Sequence, residues 1–123
     1  MDIEIHLQAD PSPRSRVRRL IEWIREDPSR PLGVDHLADR AAMSRRNLSR
    51  LFARETGSTP ARFVEQARLE LARRLLERAG VRVTWVAARA GFESAERMRR
   101  AFHRRFAMSP TDYASVGSGT MRR

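Results

Sequence analysis

The sequence contains no cysteine and no lysine. Without cysteine there can be no disulfide, no thiolate nucleophile and no cysteine-ligated zinc, and a cytosolic setting fits. Without lysine, all 25 basic residues are arginine, set against 15 acidic ones. The formal charge of +10 therefore comes as planar guanidinium forks suited to phosphates and guanine edges. A genome rich in G and C would produce the same bias. Long apolar runs are missing too: Asp2 and Glu4 charge the amino terminus, and no signal peptide or membrane span follows. His6, His36 and His103 are scattered without metal spacing, no serine has a plausible histidine and carboxylate arrangement, and phosphate-cradling glycine loops are absent. These absences argue against an enzyme, and no catalytic residue, metal site or cofactor is expected. At 123 residues the chain can build one modest core but not a separate catalytic domain as well.

What is present is a repeat. Val34 to Pro60 matches Val83 to Pro110 when one residue is inserted at the turn. Leu37, Ala38, Ala41 and Met43 fall on Val86, Ala87, Ala90 and Phe92. Ser44, Leu48, Arg50, Phe52 and Pro60 fall on Ser94, Met98, Arg100, Phe102 and Pro110. Duplicated small helical units in a chain this basic suggest DNA read at two points.

The punctuation predicts an all-α fold of seven helices with no strand: two helix-turn-helix subdomains joined by a long central helix. Residues 1–15 read as a tail or linker, because Asp10-Pro-Ser-Pro is a poor start for a packed element, and the alternation of Ile3, Ile5 and Leu7 gives one short strand without a partner. A first helix covers Arg16 to Asp27, with Val17, Leu20, Ile21 and Ile24 at helical spacing before Pro28. The first helix-turn-helix spans about residues 34–57, its second helix capped by Ser44 and stopped by Gly57. Thr59-Pro60 opens the linker helix, expected over 60–79 with a stripe of Phe63, Val64, Ala67, Leu71, Leu75 and Leu76. The second helix-turn-helix spans about 83–106, Ser109-Pro110 starts a short last helix through Tyr113, and the chain is expected to fray from Val116, leaving 117–123 flexible. The domain is thus expected over residues 16–116. Gly91 suits a left-handed backbone at the inter-helix turn, whereas the first repeat has Ala42 there, which held left-handed would cost about 1–2 kcal/mol.

The second helix of each repeat divides into two faces. Leu48, Leu51 and Phe52 form a buried stripe opposite Arg46, Ser49, Arg50 and Ala53. Met98, Ala101, Phe102 and Phe106 form the matching stripe opposite Glu96, Arg99, Arg100 and His103. Arginine can donate two bonds to guanine O6 and N7, and glutamate can accept from cytosine N4. The base-reading candidates are accordingly Arg46, Ser49, Arg50, Glu96, Arg99 and Arg100. Arg45, Arg54, Arg62, Arg97, Arg104 and Arg105 are the candidate phosphate neutralisers. Arginines on an exposed helix face are usually just solvated, and Glu96 equally suits the positive end of its helix. It is the duplication at Arg50 and Arg100 that favours reading. Trp23 and Trp85 read as packing residues, with Trp85 at the outer position matching His36.

A linker helix of about 30 Å compares with about 34 Å between successive major-groove faces on one side of B-DNA. A rigid spacer of that size would let one monomer read adjacent grooves of one asymmetric site of about twenty base pairs, bent at a cost of a few kcal/mol if straight DNA does not fit. A nonspecific architectural nucleic-acid-binding protein would also be basic, but would not need two matched reading faces. A helical protein-interaction module is a third class.

The segments LADRAAMSRRNLSRLFARETGSTPARFV and VAARAGFESAERMRRAFHRRFAMSPTDY resemble the AraC/XylS transcription regulators, and the resemblance covers about Arg16 to Tyr113. It implies that the second helix of each motif enters the major groove, with base contacts from positions that correspond here to Arg46, Ser49 and Arg50, and to Glu96, Arg99 and Arg100. Departures are Ala42 at the first turn and Glu96 where glutamine is common. The resemblance further implies double-stranded DNA and RNA polymerase as partners, no membrane, a cytoplasmic, nucleoid-associated location, and in many members a preceding effector-sensing or dimerising domain. RNLSRLFARETGSTPARFVEQARLELARRLLE looks like the subgroup whose preceding domain resembles a glutamine amidotransferase. The chain reads either as an excised carboxy-terminal domain or as a stand-alone regulator.

Overall fold

A computed structural model describes residues 12–121. Among them are seven α-helices and no strand: α1 (Pro13–Glu26), α2 (Val34–Arg40), α3 (Arg45–Thr56), α4 (Pro60–Leu76), α5 (Val83–Ala90), α6 (Ala95–Phe106) and α7 (Pro110–Met121). The all-α reading holds. The alternation of Ile3, Ile5 and Leu7 lies outside the described residues.

Most of the helix starts follow from a hydroxyl cap. Ser12 Oγ accepts from Ser15 N at 3.1 Å, Ser44 Oγ from Asn47 N at 3.1 Å, and Ser94 Oγ from Arg97 N at 3.1 Å. Thr59 and Ser109 do the same for Arg62 N and Asp112 N, each just before a proline whose missing N–H costs nothing there. The first helix thus begins at Pro13, not Arg16, because Ser12-Pro13 carries the same start signal as Thr59-Pro60. The linker helix ends at Leu76 rather than residue 79, in a turn where Glu77 N and Arg78 N bond back to Arg74 O and Leu75 O, with Gly80 left-handed at φ 77°. The last helix continues past Tyr113 to Met121: Gly117 and Gly119 each disfavour helix by about 1 kcal/mol without removing a donor, as a proline would.

The chain divides into two units, one built from Leu32–Phe63 and the chain before Pro28, the other from Pro28–Pro31 and the chain after Phe63. In the first, α1 and α2 pack on α3. Val17, Leu20, Ile21 and Ile24 of α1, Leu37 and Ala38 of α2, and Leu48 and Phe52 of α3 are buried there. Full burial of each large apolar side chain contributes about 1.5–3 kcal/mol. Two ion pairs tie α1 to α3, with Arg14 Nε and Arg18 Nε bonding Glu55 at 3.0 and 3.2 Å. Arg40 stacks over Trp23, its guanidinium carbon 3.8 Å from the ring centroid, a packing role for that tryptophan.

In the second unit, Leu69, Ala72, Leu75 and Leu76 of α4 join Val86, Ala87 and Ala90 of α5 and Met98, Ala101 and Phe102 of α6 in one core. Leu69 and Ala72 are buried positions that the expected linker stripe omitted, whereas Ala67 and Leu71, which it included, are only partly covered. Pro28–Pro31 lies on this unit as a strap formed by a turn and a bend. Arg68 holds it, donating from Nε to Pro28 O at 2.8 Å and from Nη2 to Arg30 O at 2.7 Å. Half-burial pulls the Arg68 pKa down, with Glu93 acting against the shift.

Candidate nucleic-acid interface

Both helix-turn-helix turns close in the same way. Met43 N bonds Ala38 O at 3.0 Å, and Phe92 N bonds Ala87 O at 2.9 Å, the six-to-one bond of a Schellman turn. That bond requires a left-handed residue, which is Ala42 at φ 57° in the first unit and Gly91 at φ 98° in the second. Ala42 therefore carries the strain its sequence position implied. The exits of α3 and α6 repeat the device in reverse order: Gly57 is left-handed at φ 73° and Ala107 at φ 61°. In each unit one glycine and one alanine serve the two left-handed sites that end the helices of its motif. Ala38 and Ala87 are 3% and 2% exposed at the helix crossing, where a longer side chain has no room.

The repeat also runs further than its sequence match. Phe52 meets Phe63 edge-on at 5.3 Å between centroids, and Phe102 meets Tyr113 edge-on at 5.7 Å. In each unit the aromatic pair packs the first turn of the following proline-started helix on the second helix of the motif, and contributes about 0.5–1.5 kcal/mol beyond burial. Carried this far, the match sets Asp112 on Arg62.

With Leu48 and Phe52 fully buried, the opposite face of α3 presents Arg46, Ser49, Arg50 and Ala53, all exposed. With Met98, Ala101 and Phe102 buried, α6 presents Glu96, Arg99, Arg100 and His103, all exposed. Leu51 and Phe106, expected in the stripes, lie at their edges, half-covered. The chemistry of the two faces differs. On α3, Arg50 donates to the neutral Asn47 Oδ1. On α6, Glu96 takes Arg99 through two bonds of 3.0 and 2.5 Å and Arg100 through one of 3.1 Å. The Arg99 guanidinium, then that of Arg100, holds the Glu96 carboxyl below the usual carboxylate range, and Glu96 in turn raises the Arg99 pKa. Glu96 and Arg99 thus each hold the other in its charged form.

The six flanking arginines, Arg45, Arg54, Arg62, Arg97, Arg104 and Arg105, are also exposed. Three of them meet carboxylates: Arg45 to Asp35 at 3.2 Å, Arg97 to Glu93 at 3.2 Å and Arg104 to Glu65 at 2.9 Å. The sequence reading missed these partners. Only the Glu93–Arg97 pair has the four-residue spacing that would signal it. Such exposed pairs contribute about 0–1 kcal/mol, so a phosphate can replace the carboxylate at small cost. Arg105 instead lies over Phe106 at 5.1 Å. Trp85 is 43% exposed on the outer side of α5. No group of metal-ligating side chains and no helix long and apolar enough to cross a membrane occurs among the described residues.

The fold and these surfaces define a protein with two helix-turn-helix units, each with a cationic outward face on its second helix. Residues 37–115 match the family model described as a helix-turn-helix domain. An 80-residue stretch is 50% identical to the HTH-type transcriptional regulator Rv1931c of Mycobacterium tuberculosis, covering 65% of this chain and 31% of that protein. Over 108 residues the chain is 36% identical to the HTH-type transcriptional activator RhaS of Shigella boydii, covering 88% of this chain and 39% of that one. The DNA-binding domain of the global transcriptional factor AdpA, solved in complex with a target DNA, superposes with a TM-score of 0.83 at 34% identity, over 87% of this chain and 96% of that one. The chain belongs to the AraC-type helix-turn-helix DNA-binding domain family. It spans about a third of the first of these curated relatives and about two fifths of the second.

Proposed function

We propose that this chain binds double-stranded DNA sequence-specifically to regulate transcription, with α3 and α6 reading two blocks of one asymmetric site in adjacent major grooves. The observation that carries the reading is the duplicated surface: Arg46, Ser49 and Arg50 stand exposed opposite fully buried Leu48 and Phe52, and Glu96, Arg99 and Arg100 stand exposed opposite fully buried Met98 and Phe102. Helix N-termini and Arg45, Arg54, Arg62, Arg97, Arg104 and Arg105 hold phosphates, giving weak, salt-sensitive attachment to any duplex. The two outward faces then select sequence through bidentate arginine contacts to guanine and carboxylate contacts to cytosine. The target DNA bound by the AdpA domain and the activator role in the name of RhaS support this assignment.

The DNA-binding domain spans about residues 16–116, and it acts by recruiting or excluding RNA polymerase in the cytoplasm, at the nucleoid. The chain fits either a stand-alone regulator or the carboxy-terminal domain of a longer one, and the wording of residues 46–77 favours, for the second case, an effector-sensing or dimerising partner domain resembling a glutamine amidotransferase. The test is selection of bound duplexes from a random library, followed by affinities of winners and scrambled duplexes across salt concentrations. Two selected blocks about one helical turn apart, bound more tightly than scrambles, are expected. Equal binding of winners and scrambles would replace this reading with a nonspecific architectural one.

A further inference from the structure

The two reading faces, matched in position, are not matched in charge. Where α3 carries Arg46, α6 carries Glu96, and this one carboxylate engages both arginines of its face. The three side chains remain half or more exposed, at 50% for Glu96, 55% for Arg99 and 67% for Arg100, so burial does not hold the cluster together. Its spacing does: Arg99 and Arg100 follow Glu96 by three and four residues, the two positions on a helix that meet it. Glu96 lies in the first turn of α6, where the positive end of the helix dipole favours it.

We infer that Glu96 is a specificity-determining gate, holding Arg99 and Arg100 away from phosphates until base edges in the major groove replace both sides of the ion-paired cluster. The inference rests on the assignment of α6 as a base-reading helix. On an arbitrary duplex, taking Arg99 or Arg100 for a phosphate leaves the Glu96 carboxylate facing a polyanion with its partners removed. The cluster then stays closed and α6 adds little attraction. At a site that offers an amino donor to Glu96 beside guanine O6 and N7 for an arginine, every broken bond is replaced by one to a base. The face of α3 has no such device: Arg50 leans on a neutral amide, and Arg46 and Arg50 are available to phosphates as well as bases. Of the two reading faces, that of α3 therefore adds more to nonspecific attachment and that of α6 more to discrimination, while the flanking arginines of both units hold phosphates alike. The preferred block under α6 contains cytosine, or another base with an exposed amino group, next to guanine.

The test compares the unaltered chain, Glu96→Gln and Glu96→Ala with Glu22→Gln, which removes one negative charge from α1 and none from either reading helix. Each is titrated with a duplex selected from a random pool and with scrambled duplexes over a range of salt. Far-ultraviolet circular dichroism checks that helicity is kept. Both Glu96 variants are expected to bind scrambled duplexes about tenfold more tightly, with a salt slope steeper by about one to two, one further phosphate neutralised for each arginine released. Their ratio of selected to scrambled affinity should fall, and Glu22→Gln should change little. No change in scrambled affinity and slope for the Glu96 variants would overturn the inference, as would an equal gain for Glu22→Gln, which would reduce the effect to net charge. If the unaltered chain itself fails to separate selected from scrambled duplexes, the base-reading assignment falls first and the gate falls with it.

Discussion

Gly91 lies against Ser29: a Cβ built at position 91 would stand 2.7 Å from the Ser29 Cα, 2.9 Å from Arg68 Nε and 3.1 Å from Pro28 O. The second helix-turn-helix turn is thus closed over by the Pro28–Pro31 strap. Arg68 both pins the strap and fills the remaining space. Glycine is required at position 91 twice over, by its φ of 98° and by this backbone approach.

Gly91→Ala should destabilise the chain by about 2–4 kcal/mol, combining left-handed strain with overpacking against backbone that has little freedom to retreat. Urea unfolding followed by circular dichroism measures it. A loss of less than about 1 kcal/mol would mean that the strap gives way without the overpacking cost.

The opposite substitutions should stabilise. Ala42 and Ala107 are left-handed and exposed, so the strain that glycine relieves outweighs the freedom it adds to the unfolded chain. Ala42→Gly and Ala107→Gly should each raise the unfolding free energy by about 0.5–1 kcal/mol, additively because they lie in different units. The same unfolding experiment reads both.

Glu55 sits near the C-terminus of α3, where the helix dipole is unfavourable to an acid, yet its bond to Arg18 and its pairing with Arg14 hold its carboxyl below the usual range. A carboxylate with a depressed folded pKa contributes stability that is complete above its unfolded value, about 4, and is lost as the pH falls through the lower folded value. Melting temperature should therefore decline on acidification below about pH 4. Glu55→Gln should be less stable than the unaltered chain at neutral pH and approach it in acid. A constant difference at all pH values would show that this ion-paired corner does not set the acid sensitivity.

The extended repeat places Arg62 and Asp112 at equivalent points, each with its N–H capped by the preceding hydroxyl, from Thr59 and Ser109. A phosphate at the α4 N-terminus meets a cation, whereas one at the α7 N-terminus meets a carboxylate. Arg62→Ala should weaken binding to all duplexes alike and reduce the salt slope by about one. Asp112→Asn should strengthen binding a fewfold, again without regard to sequence. Filter-binding or anisotropy titrations over a salt series check both, and a sequence-dependent effect of either would contradict a phosphate-facing role.

The parts of the structure legible in the sequence are those set by local chemistry. Ser44, Ser94, Gly57, Pro60 and Pro110 mark helix ends through groups that act within a few residues, and the period of Leu48, Phe52, Met98 and Phe102 settles which face of each reading helix turns outward. The Ser12-Pro13 start carried the same signal but was masked by the prolines around it. The left-handed backbone at Ala107 was not legible, because alanine gives no sign of the left-handed cap in which its N–H bonds His103 O at 2.8 Å. Neither was the strap over Gly91, which depends on Arg68 reaching residues 38 and 40 positions earlier. On the candidate site, the outward residues were legible and their ion pairs were not: Asp35 and Glu65 reach Arg45 and Arg104 from other helices, and only tertiary structure brings them there.

The most direct test of the central claim is the sequence preference of Arg50→Ala and Arg100→Ala, measured on the selected duplex with either block scrambled in turn. Each substitution should cost about 1–3 kcal/mol on the intact site and erase the penalty for scrambling one block while leaving the penalty for the other. Arg50→Ala and Arg100→Ala should affect different blocks. If both variants keep the full preference for both blocks, α3 and α6 do not read the DNA and the account fails.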